Sequence, residues 1–251
     1  MLEKKALIKG LEISYKIEGA GRPFLILHGW GSKSERWEKI RKLLVKKGLK
    51  TIVPDLPGFG KSQKPPSAWD LNDYCDFVED FVKFLNLQKF YLLGHSFGGA
   101  IAAKYGLKSP EKIELLFLVG ASCVRKRTTK IKFFEKISGI LKFFSFLPFY
   151  SLFRKGFYKF IIRKSDYLST EGVMRDSYLK VIKEDLTDIL PTLQLKTIII
   201  WGDKDNVKPL KDAYLMNRKI KNSQLIIIPG GDHDLEQKMP EILFEKISQF
   251  L

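Results

Sequence analysis

Cysteine is scarce in this chain: Cys75 and Cys123 are the only two in 251 residues, and neither lies in a CxxC pair or near a histidine at metal-ligand spacing. That excludes a disulfide framework and a Cys/His metal site, and both are read as reduced thiols in or near the core. Histidine is almost as rare, with three in the chain, so any chemistry that needs an imidazole must choose among His28, His95 and His233. No run of about 18 apolar residues is present, which argues against a membrane-spanning helix. The N-terminus MLEKKALIKG lacks the apolar stretch of a signal peptide, and a cytoplasmic location is expected. There is no HExxH and no GxGxxG opening a dinucleotide unit, so neither a metal nor an organic cofactor is expected.

Acidic residues are also few: 28 Asp and Glu stand against 44 Lys and Arg, for a net charge of +16. An excess of that size raises nucleic-acid binding as a possibility to test, but its distribution argues otherwise. Between Ala121 and Thr170, twelve Lys and Arg face only Glu135 and Asp166, so about +10 of the excess sits in this segment. The charge belongs to one module and no nucleic-acid motif accompanies it. Nucleic acid is therefore not an expected partner.

What the chain does contain is a rhythm of short apolar runs and helical segments. ALIKGLEISYKIEG reads as two strands joined at Gly10, and FLILH, TIVPD, KFYLLG and IELLFLV follow as compact β-runs bounded by Gly, Pro or Asp. Continuous apolar strands of this kind suit a mostly parallel sheet covered on both faces. SERWEKIRKLLVKKG and LNDYCDFVEDFVKFLN have helical periodicity, the second with Asp70 or Asn72 as its N-cap. From Ser122 to about Pro191 a Phe-rich, Lys-rich helical pattern replaces the strands. KTIIIWGD and SQLIIIPG then restore the alternation, and EILFEKISQFL closes it as an amphipathic helix. The middle segment reads as an excursion from one sheet.

The strongest chemical signal is YLLGHSFGG, where an apolar strand runs into Gly94-His95-Ser96-Phe97-Gly98 and then into AIAAKYGL. G-x-S-x-G between a strand and a helix is the nucleophile elbow: the flanking glycines let two backbones approach where a Cβ would clash, and the serine is presented at the sheet's C-terminal edge. A serine hydroxyl needs a base. His95 adjoins the serine and is expected to point elsewhere, and His28 directly follows a strand. His233, in PGGDHDLE, alone satisfies the chain order Ser, acid, His. The acid that orients it should come from the turn IIIWGDKDNVKP, which offers both Asp203 and Asp205. Oxyanion donors are expected from the backbone N–H of Phe97 and, from the HGWG turn, of Trp30.

Taken in order, LHGWG, DLPGFGKS, GHSFGG, WGDKDNVKP and GGDHDLEQKMPE resemble the α/β-hydrolase superfamily, in its branch of esterases and C–C bond hydrolases. The resemblance covers about residues 24–119 and 196 to the end. It implies an α/β architecture: one domain over 1–251, with a mostly parallel eight-stranded sheet, helices on both faces and a helical cap inserted at 122–190. It selects Asp205 as the acid and His233 as the base, and gives Asp55 a turn-shaping role. Because position 96 is serine, it excludes the branches that use an aspartate nucleophile. One departure is that carboxylates, Asp232 and Asp234, flank the histidine; both are expected to face solvent. The implied activity is hydrolysis of a small-molecule ester or related acyl substrate through an acyl-serine. The alternatives are C–C bond cleavage or a lyase reaction with the same triad, or a non-catalytic ligand-binding or membrane-associated role on the same fold. The cap's Phe residues would line an acyl pocket, Arg125, Arg127 or Arg163 would meet a substrate carboxylate, and the basic cap is a candidate for peripheral membrane contact.

Overall fold

The hairpin expected at Gly10 opens the chain. In the computed structural model, which describes residues 2–125 and 171–251, β1 (Leu2–Ile8) and β2 (Leu11–Glu18) pair antiparallel. Lys9 and Gly10 between them have φ of 51° and 76°, and two successive left-handed residues give the tight turn whose twist matches its strands. The remaining β-runs become β3 (Pro23–Leu27), β4 (Lys50–Pro54), β5 (Phe90–His95), β6 (Ile113–Val119), β7 (Thr197–Gly202) and β8 (Ser223–Ile228). They form one eight-stranded sheet in the order β1-β2-β4-β3-β5-β6-β7-β8. β2 is antiparallel to both neighbours, and every pairing from β4 across to β8 is parallel. This is the mostly parallel sheet of the α/β-hydrolase fold.

Strand alternation divides the core between the two faces. Leu25, Leu27, Leu92, Leu116, Leu118, Ile199 and Trp201 point into one apolar cluster, and Phe24, Ile26, Leu93, Phe117, Val119, Ile198 and Ile200 into the other. The first face is covered by α2 (Leu71–Phe84), α3 (Phe97–Lys108) and α5 (Leu210–Lys219), the second by α1 (Glu38–Lys46) and the last helix, α7 (Pro240–Ser248). Helix α2 begins where its cap predicts: Asp70 accepts from the amides of Asn72 and Asp73 at 2.7 and 3.1 Å, while the Asp73 carboxylate accepts from the Asp70 amide at 2.8 Å. This reciprocal box satisfies donors that the first helical turn leaves unpaired.

Of the expected insertion at 122–190, residues 126–170 lie outside the described residues, and with them the Phe-lined pocket, Arg127, Arg163 and the basic membrane-facing surface. The described part returns as α4 (Gly172–Val181), held to the body by the Trp69 amide, which donates to Ser177 Oγ at 2.9 Å. Among the described residues no helix is long and apolar enough to cross a membrane. Cys75 and Cys123 are both buried and unbridged, and burial pushes their thiols up to about 11 and about 12.

Candidate active site

β4 and β5 pair on opposite sides of β3, so the strand order reverses there and the C-terminal ends of β3 and β5 lie side by side at the switch point. In open α/β sheets this is where ligands bind. The β3 end carries His28-Gly29-Trp30, and the β5 end carries Ser96.

Ser96 sits at φ 51°, ψ −113°, a conformation that costs a non-glycine residue about 1–3 kcal/mol and persists only when its surroundings enforce it. They do. Its amide donates to Val119 O at 3.0 Å, and its carbonyl accepts from the amides of Gly99 and Ser122 at 3.0 and 2.8 Å. The glycines are required sterically: a Cβ on Gly98 would stand 2.1 Å from the Leu27 carbonyl oxygen, one on Gly94 2.3 Å from the Gly98 carbonyl oxygen, and one on Gly99 2.5 Å from the Ala121 Cβ. Strand β5, helix α3 and the neighbouring strand ends touch backbone to backbone, and that contact forces the turn.

His233 and Asp205 come together as expected, with His233 Nδ1 2.7 Å from Asp205 Oδ2. A carboxylate only accepts, so Nδ1 carries the proton and the neutral ring keeps a lone pair at Nε2. The Asp205 side chain is 1% exposed and that of His233 13%. The other carboxylate oxygen of Asp205 accepts from the amides of Val207 and Lys208 at 2.8 and 2.7 Å, so the acid is fixed from both sides. Asp203 instead accepts from the Gly230 amide at 2.7 Å and shapes the neighbouring turn.

Gly120, one residue past β6, marks how tightly the site closes: a Cβ there would lie 3.2 Å from His233 Nδ1 and 3.5 Å from Asp205 Oδ2. On the nucleophile's side, Ser96 Oγ lies 3.4 Å from the hydroxyl of buried Ser122. Among the described residues that is the hydrogen bond of the Ser96 hydroxyl, and it is not directed at His233. Ser122 escaped the sequence reading because nothing local marks a serine 26 positions away as a neighbour.

The expected oxyanion donors also lie at these strand ends. Phe97 begins α3, where the first amides have no intrahelical acceptor. Among the described residues neither its amide nor that of Trp30 donates a hydrogen bond. The Trp30 ring packs edge-on against Phe59, Phe97 and Tyr178, with centroids 4.8, 5.1 and 5.2 Å away, which fixes the loop bearing that amide.

The two other histidines differ from each other. His28 is fully buried and structural: Nδ1 donates to the Gly29 carbonyl at 2.8 Å and Nε2 accepts from the Leu56 amide at 2.9 Å, while burial pushes its pKa down to about 4. His95 points away from the Ser96 hydroxyl, as expected, because alternation along β5 sends it to the opposite face. What the sequence did not show is its partner there: the ring centroid is 4.9 Å from that of His233, and its Nε2 lies 2.9 Å from the His233 carbonyl oxygen.

Asp55 holds the turn after β4, accepting from the amides of Ser34 and Lys61 at 2.6 and 2.9 Å. The carboxylates beside the base lie at the surface, where each meets a cation. Asp232 pairs with Lys238 and also accepts from the Asp234 amide, and Asp234 pairs with Arg36 at 2.7 Å. Cations occupy both, and neither bonds the imidazole.

Comparison with known proteins agrees with this geometry. The family model described as alpha/beta hydrolase fold matches residues 22–145. A protein of Synechocystis sp. that carries the name non-heme chloroperoxidase is 30% identical over 244 residues, covering 89% of this chain and 88% of its own. Among solved structures, a bromoperoxidase from Bacillus anthracis superposes with a TM-score of 0.79 at 25% identity, and an esterase from Exiguobacterium antarcticum with 0.78 at 24%; each alignment covers 99% of both chains. With the elbow, the strand order and a full-length relative in agreement, the chain belongs to the α/β-hydrolase fold family.

Proposed function

We propose that this protein is a serine hydrolase that cleaves a carboxylic ester or closely related acyl substrate through an acyl-Ser96 intermediate. The observation that carries the reading is the 2.7 Å bond from His233 Nδ1 to buried Asp205, because it leaves Nε2 free to accept the proton of a strained elbow serine. In the proposed reaction the Ser96 hydroxyl turns from Ser122 to His233. Oγ bonds to the substrate carbonyl carbon as its proton passes to Nε2, and the amides of Trp30 and Phe97 receive the oxyanion. The carbon–oxygen bond to the leaving group then breaks, and the imidazolium returns the proton to the departing alkoxide. Water repeats the sequence on the acyl-enzyme and restores Ser96.

Fluorophosphonate labelling, together with turnover of short and long p-nitrophenyl esters, tests this. Ser96→Ala should abolish labelling and lower kcat by on the order of 10⁵-fold or more, since loss of the nucleophile removes the acyl-enzyme route. Wild-type protein that labels no better than Ser96→Ala would overturn the reading.

Arg125 favours a second reading within the same class, a substrate that carries a carboxylate, whether the bond cleaved is an ester or carbon–carbon. Its Nε is buried and, among the described residues, has no hydrogen-bond partner. Nearby Lys208 has its amine pushed down to about 8 by burial, with the Arg125 charge adding to the effect. A buried guanidinium donor without an acceptor is costly, and a ligand carboxylate would satisfy it. Preference for mono-p-nitrophenyl glutarate over p-nitrophenyl valerate, lost in Arg125→Gln, is the expected result. Equal turnover of the two esters would leave the simple ester reading in place.

A further inference from the structure

We infer that His95 is a positioning residue for the base: its Nε2–H pins the main chain of His233 and so sets the reach between nucleophile and imidazole. The inference rests on the hydrolase reading above and adds to it a residue outside the triad.

The hydrogen bond itself fixes the chemistry of the His95 ring. Its Nε2 lies 2.9 Å from a carbonyl oxygen, and a carbonyl only accepts, so the proton is on Nε2 and the lone pair is at Nδ1. Nδ1 is buried and, among the described residues, has no hydrogen-bond partner, and it faces Gly29, where a Cβ would stand 3.2 Å away. A proton there would find no acceptor and would place a second positive charge beside the base in the transition state. Burial lowers the His95 pKa, with His233 adding to the effect and Glu236 opposing it, so the ring stays neutral where an imidazolium on His233 must form. Its other neighbour is Trp37, 5.9 Å away and edge-on, which leaves the ring little freedom to turn.

Connectivity gives the contact its consequence. His95 is covalently next to Ser96, so one peptide unit and one hydrogen bond link nucleophile to base. Asp205 fixes the imidazole at Nδ1, and His95 fixes the backbone that carries it. The loop from Gly230 to Asp234 is otherwise tied by bonds that orient the turn and not the His233 carbonyl. Without the Nε2 donor, the base would keep its acid but lose its register against the serine.

The test compares His95→Gln, which keeps an N–H donor at the Nε2 position, with His95→Leu, which keeps bulk and loses the donor. The probes are fluorophosphonate labelling and p-nitrophenyl butyrate turnover. His95→Leu should lower kcat and the labelling rate by about 10²-fold with KM nearly unchanged, the size of effect expected for a misplacement of about 1 Å. His95→Gln should recover most of both, and circular dichroism melts should show both variants folded. His95→Leu within twofold of wild type, or His95→Gln as impaired as His95→Leu, would overturn the inference. Wild type that fails to label would instead overturn the hydrolase reading, so the two failures are distinguishable. If leucine unfolds the chain, the ¹⁵N shifts of His95 in wild-type protein decide the matter: a protonated Nε2 and bare Nδ1 across the active pH range is expected, and the opposite tautomer would refute it.

Discussion

The nucleophile turn and the base loop sit within one hydrogen bond of each other, yet they are held by different physics. Around Ser96 the restraint is steric. Gly94, Gly98 and Gly99 pack against backbone and Cβ atoms at distances where no side chain fits, and the strained serine is bonded on both sides by main-chain groups. Around His233 the restraint is polar. Asp205 holds the ring, His95 lies against the carbonyl, Asp203 ties the Gly230 turn, and Arg36 and Lys238 occupy the flanking carboxylates. A steric restraint is all-or-none because interiors are close-packed. A polar one is graded, because each bond contributes separately and water can replace the exposed ones. The proposed reaction moves a proton through the second region while leaving the first unchanged.

The sharpest way to break this contrast is to remove the acid's charge and keep its shape. Asp205→Asn should leave the fold and urea midpoint close to wild type while kcat falls by on the order of 10⁴-fold, because the amide favours the wrong imidazole tautomer. A large loss of stability would show that the acid also supports the loop. Next comes the steric side. Gly98→Ala places a methyl 2.1 Å from the Leu27 carbonyl oxygen, and should cost about 3 kcal/mol in urea unfolding, the upper part of the overpacking range. A cost below about 1 kcal/mol would mean that the elbow can relax.

The elbow was also the most legible site in the sequence, and the reason is locality. The elbow needs a strand, two glycines, a serine and a helix within about a dozen consecutive residues, so pattern and structure coincide. The hairpin at Lys9-Gly10 and the box at Asp70 were readable on the same grounds. The pairing of Asp205 with His233 was available only through chain order and family likeness. Ser122 and the contact of His95 with the His233 main chain were not readable, because each depends on which strand end lies beside which, and no local signal encodes that.

Smaller effects refine the polar side. Arg36 bridges Asp234 and Glu236, at 2.7 and 3.0 Å, and the Glu236 side chain is 1% exposed. Arg36→Met therefore strands a buried carboxylate and should cost about 1–2 kcal/mol in the same assay, discounted because the arginine itself is partly solvated. Activity should fall with it, since Glu236 lies in the short helix α6 (Leu235–Lys238) that follows the base. Lys238→Ala is expected to do least. Its pair with Asp232 is exposed, and the urea midpoint at neutral pH should not shift. A clear shift would mean that the loop relies on its surface charges more than on His95 and Asp205.

The central claim, that Ser96 carries the acyl group, is tested most directly by trapping it. Brief incubation with p-nitrophenyl acetate, acid quenching and peptide mapping by mass spectrometry should find one acetyl group on the peptide that contains Ser96, and none in Ser96→Ala. Hydrolysis that proceeds with the acetyl group on another residue, or equally well in Ser96→Ala, would contradict the account.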